Sequence, residues 1–140
     1  MTGKTKASAN PLICVVDDDP SVADSTRYLI DSFGFRSKAF ASAREFLSSR
    51  HLQEVSCLIL DIRMPEMDGL ELQHRLAETN KRVPIVFLTA YADDSEEKRA
   101  MEGGAVAVLH KPVSEVVLFN AIQAALGRYE RVKVRSQHST

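Results

Sequence analysis

Short apolar runs that each stop at a polar side chain recur along this chain of 140 residues. Four such runs cover residues 12–16, 57–60, 85–88 and 106–109. They are followed by Asp17, Asp61, Thr89 and the pair His110-Lys111. A continuous apolar run bounded by turn signals is typical of a strand that is buried on both faces. Because open α/β sheets bind ligands beyond the carboxyl ends of their strands, this pattern predicts a functional site there.

Helix signals fill the intervals between these strands. Asp19-Pro20 is an N-cap followed by proline at the first helical position, and Gly34 marks the end of that helix. Later helix starts are predicted at Ser42 with Glu45, after Asp68-Gly69, at Asp94 with Glu97, and at Ser114, with the last helix stopping at Gly127. A short, more polar segment over residues 35–40 suits a strand at the sheet edge. The alternation predicts an α/β fold: a doubly wound, five-stranded parallel sheet with five helices.

Composition limits the kinds of partner that the chain can have. With 44% hydrophobic residues, it can build one domain with a substantial core. Its formal net charge of −1 predicts no bulk attraction to nucleic acid or to a membrane surface. No apolar stretch approaches the ~20 residues of a membrane span, and no signal-peptide core follows the first 11 residues. We expect a cytoplasmic protein with a disordered arm over residues 1–10, a domain over 11–127, and a helix end with a polar tail over 128–140.

The two cysteines both fall within predicted buried strands. Cys14 and Cys57 stand at equal distances before Asp18 and Asp61, so they could be neighbours in the sheet. We interpret them as small apolar core residues in a reducing cytosol, which disfavours a disulfide or a metal site.

The acids at the strand ends favour phosphoryl chemistry on a carboxylate. Asp17, Asp18 and Asp61 would repel one another if they converged, and a divalent cation would relieve that repulsion. An all-oxygen ligand set with open water positions suits Mg²⁺. Asp61 could then attack an incoming phosphoryl group and become an aspartyl phosphate.

The chain resembles the receiver domain of bacterial response regulators over residues 11–127. Four groups of residues in family order and spacing carry the resemblance: Asp17-Asp18, Asp61 with Met64-Pro65 and Asp68-Gly69, Thr89-Ala90, and Lys111-Pro112. The resemblance implies a flavodoxin-like strand order of 2-1-3-4-5. In that order strands 1, 3, 4 and 5 lie side by side at the active edge.

The resemblance also implies a role for each site residue. Asp61 would be the phosphoacceptor, Lys111 would pair with the phosphoryl oxygens, and Thr89 would donate its hydroxyl to one of them. The metal ligands would be Asp18, Asp61 and the backbone carbonyl of Arg63, with Asp17 acting mainly through water. Asp68-Gly69 is better explained as a turn into the third helix than as a ligand.

A receiver of this kind is a regulatory phosphoacceptor that catalyses only its own phosphorylation and dephosphorylation. The implied upstream partner is a sensor histidine kinase or a phosphotransfer protein. Downstream we expect a protein target or an output domain, with a phosphorylation-dependent homodimer as a further expectation and no direct nucleic-acid contact. The chain ends soon after the fifth predicted helix, so we expect a stand-alone receiver or a fragment of a longer regulator.

The sequence departs from the family pattern at the position three residues before the lysine, where Val108 replaces the usual Tyr or Phe, and Ala107 stands where many relatives have an acid. Arg63 and Tyr91 occupy positions that tune the lifetime of the phosphoryl group in the family.

Two other classes of protein compete with this interpretation. A metal-dependent aspartyl-phosphate phosphohydrolase shares the nucleophilic aspartate but needs a second acid two residues later, where this chain has Arg63. A flavodoxin-like cofactor-binding domain needs a phosphate-cradling loop after the first strand, where Asp17, Asp18 and Asp19 would repel a phosphate unless a metal intervened.

Overall fold

The structure, a computed structural model, describes residues 10–79 and 82–138, and for residues 130–138 it describes the backbone alone. Residues 1–9 of the predicted N-terminal arm lie outside these ranges. Within the described residues, five strands and five α-helices alternate along the chain, as predicted. The strands are β1 (Leu12–Val16), β2 (Arg36–Phe40), β3 (Val55–Leu60), β4 (Ile85–Thr89) and β5 (Ala107–His110). The helices are α1 (Pro20–Ser32), α2 (Ala43–Ser48), α3 (Gly69–Glu78), α4 (Asp94–Glu102) and α5 (Glu115–His138).

The strands form one parallel sheet in the order β2-β1-β3-β4-β5, which confirms the predicted order. Every residue of β1, β3 and β4 is buried, whereas β2 alternates between exposed and partly buried residues before Phe40. Three of the four predicted buried runs therefore became the central strands, because apolar side chains can be covered on both faces of a sheet. The fourth is wrong in this respect: β5 lies at the second edge of the sheet, and its residues are partly buried up to an exposed His110. The more polar segment became an edge strand.

Helices cover both faces of the sheet, which confirms the doubly wound arrangement. On one face, Ala23 and Ile30 of α1 and Leu118 and Ile122 of α5 pack against the central strands. On the other face, α2, α3 and α4 contribute a second layer that includes Phe46, Leu72, Leu76 and Ala100. Complete burial of each large side chain contributes about 1.5–3 kcal/mol.

The cysteines lie on adjacent strands but in opposite layers. Cys14 belongs to the layer beneath α2, α3 and α4, and Cys57 to the layer beneath α1 and α5. Both are buried, as the interpretation of core residues predicted, and both are free thiols. The pleat explains the separation, because Cys14 pairs with Leu58 rather than with Cys57 across the two strands.

Side-chain caps start the helices, although two predicted capping boxes differ in detail. Ser42 accepts from the Glu45 amide at 3.1 Å, but the Glu45 carboxylate accepts from the amide of Ala41, one residue earlier than predicted. The box predicted at Asp94 and Glu97 is wrong by one residue, since Asp93 and Glu96 cap each other and α4 begins at Asp94. Two adjacent Asp and two adjacent Glu residues satisfy the same spacing in either frame, so local pattern alone could not choose.

The last helix is longer than predicted. Gly127 was expected to end it, but α5 continues to His138. A helix tolerates one interior glycine at a cost of about 1 kcal/mol, and no proline follows to stop it. Arg128 also connects α5 to the residues that follow α4, because its guanidinium donates to the Gly104 carbonyl at 2.7 Å. Among the described residues, no helix combines the length and apolar character that crossing a membrane requires.

Candidate functional site

Three carboxylates meet at the carboxyl edge of the sheet, as the sequence predicted. Asp17 and Asp18 follow β1, and Asp61 follows the adjacent strand β3. One oxygen from each carboxylate lies within 4.8 Å of the others. Asp17 and Asp61 are buried, whereas Asp18 is exposed, so the cluster opens to solvent on one side.

Lys111 closes the buried side of this cluster. Its ammonium lies 2.9 Å from Asp17 Oδ2 and 3.1 Å from Asp61 Oδ2. Burial by itself lowers the pKa of Lys111, but the hydrogen bonds and charges of the two aspartates outweigh burial and raise it above its ordinary value. The lysine therefore stays charged and compensates part of the repulsion between the acids. The Lys111-Pro112 peptide bond that follows is cis.

The environment of Asp17 raises the pKa of its carboxyl group above the ordinary value. Burial raises the pKa of Asp17, and the nearby charge of Asp61 adds to the rise. Hydrogen bonds from the Asp19 amide and from Lys111 act in the opposite direction. Burial is therefore the main cause of the raised pKa of Asp17, and repulsion from Asp61 is a smaller contribution.

Asp61 keeps one oxygen without a partner. Its Oδ2 accepts from Lys111, but Oδ1 is buried and has no hydrogen-bond donor. Such buried acceptors are rare, and a bound ion is one of their ordinary explanations. Three carboxylates, one of which has a buried oxygen without a donor, form a hard, all-oxygen donor set that fits Mg²⁺.

The loop after Asp61 folds back onto the end of β3. The Gly69 amide donates to the Ile62 carbonyl at 2.8 Å, and Asp68 caps α3 by accepting from the Glu71 amide at 2.9 Å. Asp68 thus caps the helix that the predicted turn leads into. Arg63, whose backbone carbonyl was the fourth predicted ligand, lies in this loop and directs its side chain toward α4.

Thr89 ends β4 and is almost completely buried. Its hydroxyl donates to the backbone carbonyl of Tyr91 at 3.1 Å. On the adjacent strand β5, Val108 pairs with Phe87, is partly buried and packs against the core layer beneath α2, α3 and α4. The hydroxyl is therefore at the predicted edge of the sheet but bonded within its own loop.

Sequence reasoning missed two carboxylates of α4 that face the site loops. Glu96 accepts from the Arg63 guanidinium at 2.7 Å, and Glu97 lies 3.1 Å from the imidazole of His110. No local spacing could have indicated the first pair, because 33 residues separate its members. Glu97 was predicted only as part of a helix cap, and nothing in the sequence indicated that either glutamate faces the site loops.

The fold is an open, doubly wound α/β sheet, and an acidic cluster lies beyond its central strands. These two features agree with the family to which the sequence is similar. The response regulator receiver domain is the family whose model matches residues 13–123, and the chain belongs to that family. Proteins of this family act in phosphorylation-dependent signalling and are regulatory. Receiver domains bind Mg²⁺ at an acidic pocket of the kind that Asp17, Asp18 and Asp61 form here.

Three relatives support the family membership. Nodulation protein W of Bradyrhizobium diazoefficiens is 43% identical over 126 residues, which are 90% of this chain and 56% of that protein. Response regulator protein TmoT of Ectopseudomonas mendocina is 41% identical over 115 residues, 82% of this chain and 52% of that protein. The solved structure of response regulator StyR has a TM-score of 0.84 and 41% identity, and the match covers 93% of this chain and 66% of that one. The chain spans about half the length of the curated relatives it matches.

Proposed function

We propose that Asp61 accepts a phosphoryl group from a phosphohistidine on a sensor kinase or phosphotransfer protein, and that the aspartyl phosphate changes partner binding. The observation that carries the proposal is the state of the Asp61 carboxylate. Its Oδ2 is held by Lys111, while Oδ1 is buried beside two further acids without a hydrogen-bond donor. An oxygen with uncommitted lone pairs at an open acidic edge is suited to nucleophilic attack.

In the proposed reaction, an Asp61 oxygen forms a bond to phosphorus while the phosphorus–nitrogen bond to the donor imidazole breaks. The imidazole leaves with the electron pair of that bond. Lys111 already lies 3.1 Å from Asp61, so its charge can follow the carboxylate oxygens as the carboxylate becomes an acyl phosphate. Such fixed positive charge lowers the barrier because it needs no rearrangement during the reaction.

Asp17, Asp18, Asp61 and the backbone carbonyl of Arg63 would hold Mg²⁺. When bound, the ion supplies positive charge that offsets the repulsion between the acids and the phosphoryl oxygens. Asp18 is the exposed member of the cluster and faces the solvent from which an ion would arrive. Asp17, which is buried and bonded to Lys111, would act mainly through water.

Thr89 would change its hydrogen bond when Asp61 is phosphorylated. Its hydroxyl has one donor proton, which is now given to the Tyr91 carbonyl. Donation to a phosphoryl oxygen would require the hydroxyl to leave that carbonyl, so phosphorylation would change the loop between β4 and α4. A phosphorylation-dependent homodimer or a changed contact with an output domain would follow from this change.

The whole protein would work in the cytoplasm, between a sensor kinase and a downstream target or output domain. This part of the proposal rests on the named relatives, which include transcriptional regulatory proteins TdiR of Thauera aromatica and FixJ of Bradyrhizobium diazoefficiens. The chain itself carries a formal net charge of −1, which agrees with a role exercised through protein contacts.

Neither competing class of protein gains support from the site. An aspartyl-phosphate phosphohydrolase would use an acid two residues beyond the nucleophile, and here Arg63 holds that position and pairs with Glu96. A flavodoxin-like cofactor site would place a phosphate against Asp17 and Asp18, where the local charge is negative.

Intact-mass measurement with acetyl phosphate tests the proposed function. The wild-type protein should gain one phosphoryl group in the presence of Mg²⁺ and none in excess EDTA. Asp61→Asn should gain none under either condition. Asp68→Asn is the matched control, because asparagine caps a helix as well as aspartate does and Asp68 lies in the same loop. Phosphorylation of Asp61→Asn at the wild-type level, or full modification in EDTA, would overturn the proposal.

A further inference from the structure

One carboxylate oxygen on α4 serves two partners at once. Glu96 Oε1 accepts from the Arg63 guanidinium at 2.7 Å and from the Asp93 backbone amide at 3.0 Å. The second contact closes the capping box that starts α4. The Glu96 side chain is only 19% exposed, compared with 52% for Arg63, so the ion pair is shielded on the glutamate side. The start of α4 is thus tied to the loop that follows Asp61.

Arg63 makes its other contacts with the loop that follows Thr89. Its guanidinium carbon lies 5.2 Å from the centre of the Tyr91 ring, within the range of a cation–π interaction. Its Nε lies 3.5 Å from the Tyr91 carbonyl, the same oxygen that accepts from Thr89 at 3.1 Å. Arg63 and Thr89 therefore converge on one carbonyl while Asp61 is unmodified.

We propose that Glu96 is a positioning residue that holds the Arg63 guanidinium on α4, and that a phosphoryl group on Asp61 competes with Glu96 for it. The proposal rests on the proposed function of Asp61. Arg63 follows Asp61 by two residues, so their Cα atoms are at most about 7 Å apart and a long side chain can reach back. A guanidinium matches phosphoryl oxygens with two parallel hydrogen bonds, and a dianion attracts it more strongly than one carboxylate does.

Transfer of Arg63 from Glu96 to the phosphoryl group would remove one contact from the start of α4. When Arg63 leaves, Glu96 keeps only its hydrogen bond from the Asp93 amide, and α4 loses its tie to the Asp61 loop. Thr89 would leave the Tyr91 carbonyl in the same step, so that oxygen would lose both of its donors. Glu97 would still pair with His110, which keeps the second connection between α4 and the sheet edge.

The Glu96→Gln variant removes the carboxylate charge but keeps the side-chain cap of α4. Glutamine retains a side-chain oxygen that can accept from the Asp93 amide, but it lacks the charge that holds Arg63. We expect Glu96→Gln to bind beryllofluoride about two- to fivefold more tightly, which is the range of a partly exposed ion pair. Glu97→Gln is the matched control, because it removes the same charge one residue away without touching Arg63.

Calorimetric titration of the Mg²⁺-loaded protein with beryllofluoride measures these affinities. The gain from Glu96→Gln should vanish when it is combined with Arg63→Gln, a dependence that a purely structural role for Glu96 would not produce. Amide exchange at Asp93 should remain as slow in Glu96→Gln as in the wild type, which verifies that the cap is intact. Equal effects of Glu96→Gln and Glu97→Gln, or a gain that persists without Arg63, would overturn the proposal.

The same titration distinguishes failure of this proposal from failure of the proposed function. If Asp61→Asn binds beryllofluoride as the wild type does, the assignment of Asp61 fails and the competition for Arg63 fails with it. If the wild type binds, Asp61→Asn does not, and Glu96→Gln matches Glu97→Gln, only the role of Glu96 is overturned.

Discussion

Gly69 lies directly against the backbone carbonyl of Asp61, so close that a Cβ at Gly69 would overlap that oxygen. The Gly69 amide donates to the Ile62 carbonyl at 2.8 Å, and Asp68 caps α3 immediately before it. The start of α3 and the end of β3 therefore share one close contact. The position of the Asp61 side chain therefore depends on Gly69, a residue that has no side chain.

Replacing Gly69 by alanine should displace Asp61 and impair the site. We expect a loss of about 1–3 kcal/mol in the free energy of unfolding, because the overlap is with backbone that must shift. Phosphorylation by acetyl phosphate should slow at least severalfold. Gly34→Ala is the control: its φ of 96° is strained for alanine, but its surroundings are open and it lies away from the site. A Gly69→Ala variant that is phosphorylated at the wild-type rate would contradict this prediction.

The lifetime of the aspartyl phosphate should depend on Arg63 and Tyr91. Hydrolysis requires a water in line with the bond between Asp61 and phosphorus. Arg63 stacks on the Tyr91 ring, and we expect these two large side chains to flank that approach. The Arg63→Ala/Tyr91→Ala variant should therefore lose phosphate severalfold faster than the wild type, as timed by intact mass after removal of the donor. Tyr28→Ala, at an exposed tyrosine of α1, should leave the rate unchanged. An unchanged or slower rate in the double variant would exclude steric shielding.

The conformational change that follows phosphorylation should be greatest in the loop between β4 and α4. Val108 is β-branched with restricted rotamers, and it is partly buried against the core, so it cannot swing as a larger aromatic side chain could. Amide exchange with and without beryllofluoride should change most over residues 89–97, where Thr89 and Tyr91 are hydrogen-bonded. Changes confined to residues 61–69 would show that the modification stays local.

The buried cysteines should make the protein less stable as the pH rises above 9. Burial raises the pKa of Cys14 to about 12, and it also raises the pKa of Cys57 far above its ordinary value of 9.0. The unfolded chain then releases protons that the folded chain keeps, which favours unfolding. The free energy of unfolding should fall by about 1.4 kcal/mol per pH unit for each thiol above that ordinary value.

Denaturant titrations between pH 8 and pH 11 measure this slope. The Cys14→Ala/Cys57→Ala variant is the control, because it keeps every other titrating group. Its slope above pH 9 should be clearly shallower than that of the wild type. Equal slopes would mean that the thiols ionise as readily in the fold as in the unfolded chain.

The start of α4 illustrates how far pattern analysis could go. The sequence offers Asp93 or Asp94 as the cap and Glu96 or Glu97 as its partner, and both frames have the same spacing. The fold resolves the ambiguity, with Asp93 and Glu96 capping each other, Glu96 also bound to Arg63, and Glu97 beside His110. The same limit applies to Thr89, whose place at the sheet edge was predictable but whose acceptor was not.

The sequence by itself determined the strands, most helix starts and the gathering of Asp17, Asp18, Asp61 and Lys111 at one edge. These features follow from local rules, since buried parallel strands require apolar runs and their polar ends must emerge together. Only the tertiary structure decided which partner each charged side chain takes. Lys111 reaches Asp61 across 50 residues and Arg63 reaches Glu96 across 33, so no local periodicity encodes either contact. Such pairs depend on how helices and loops pack against the sheet, and packing is a property of the whole fold.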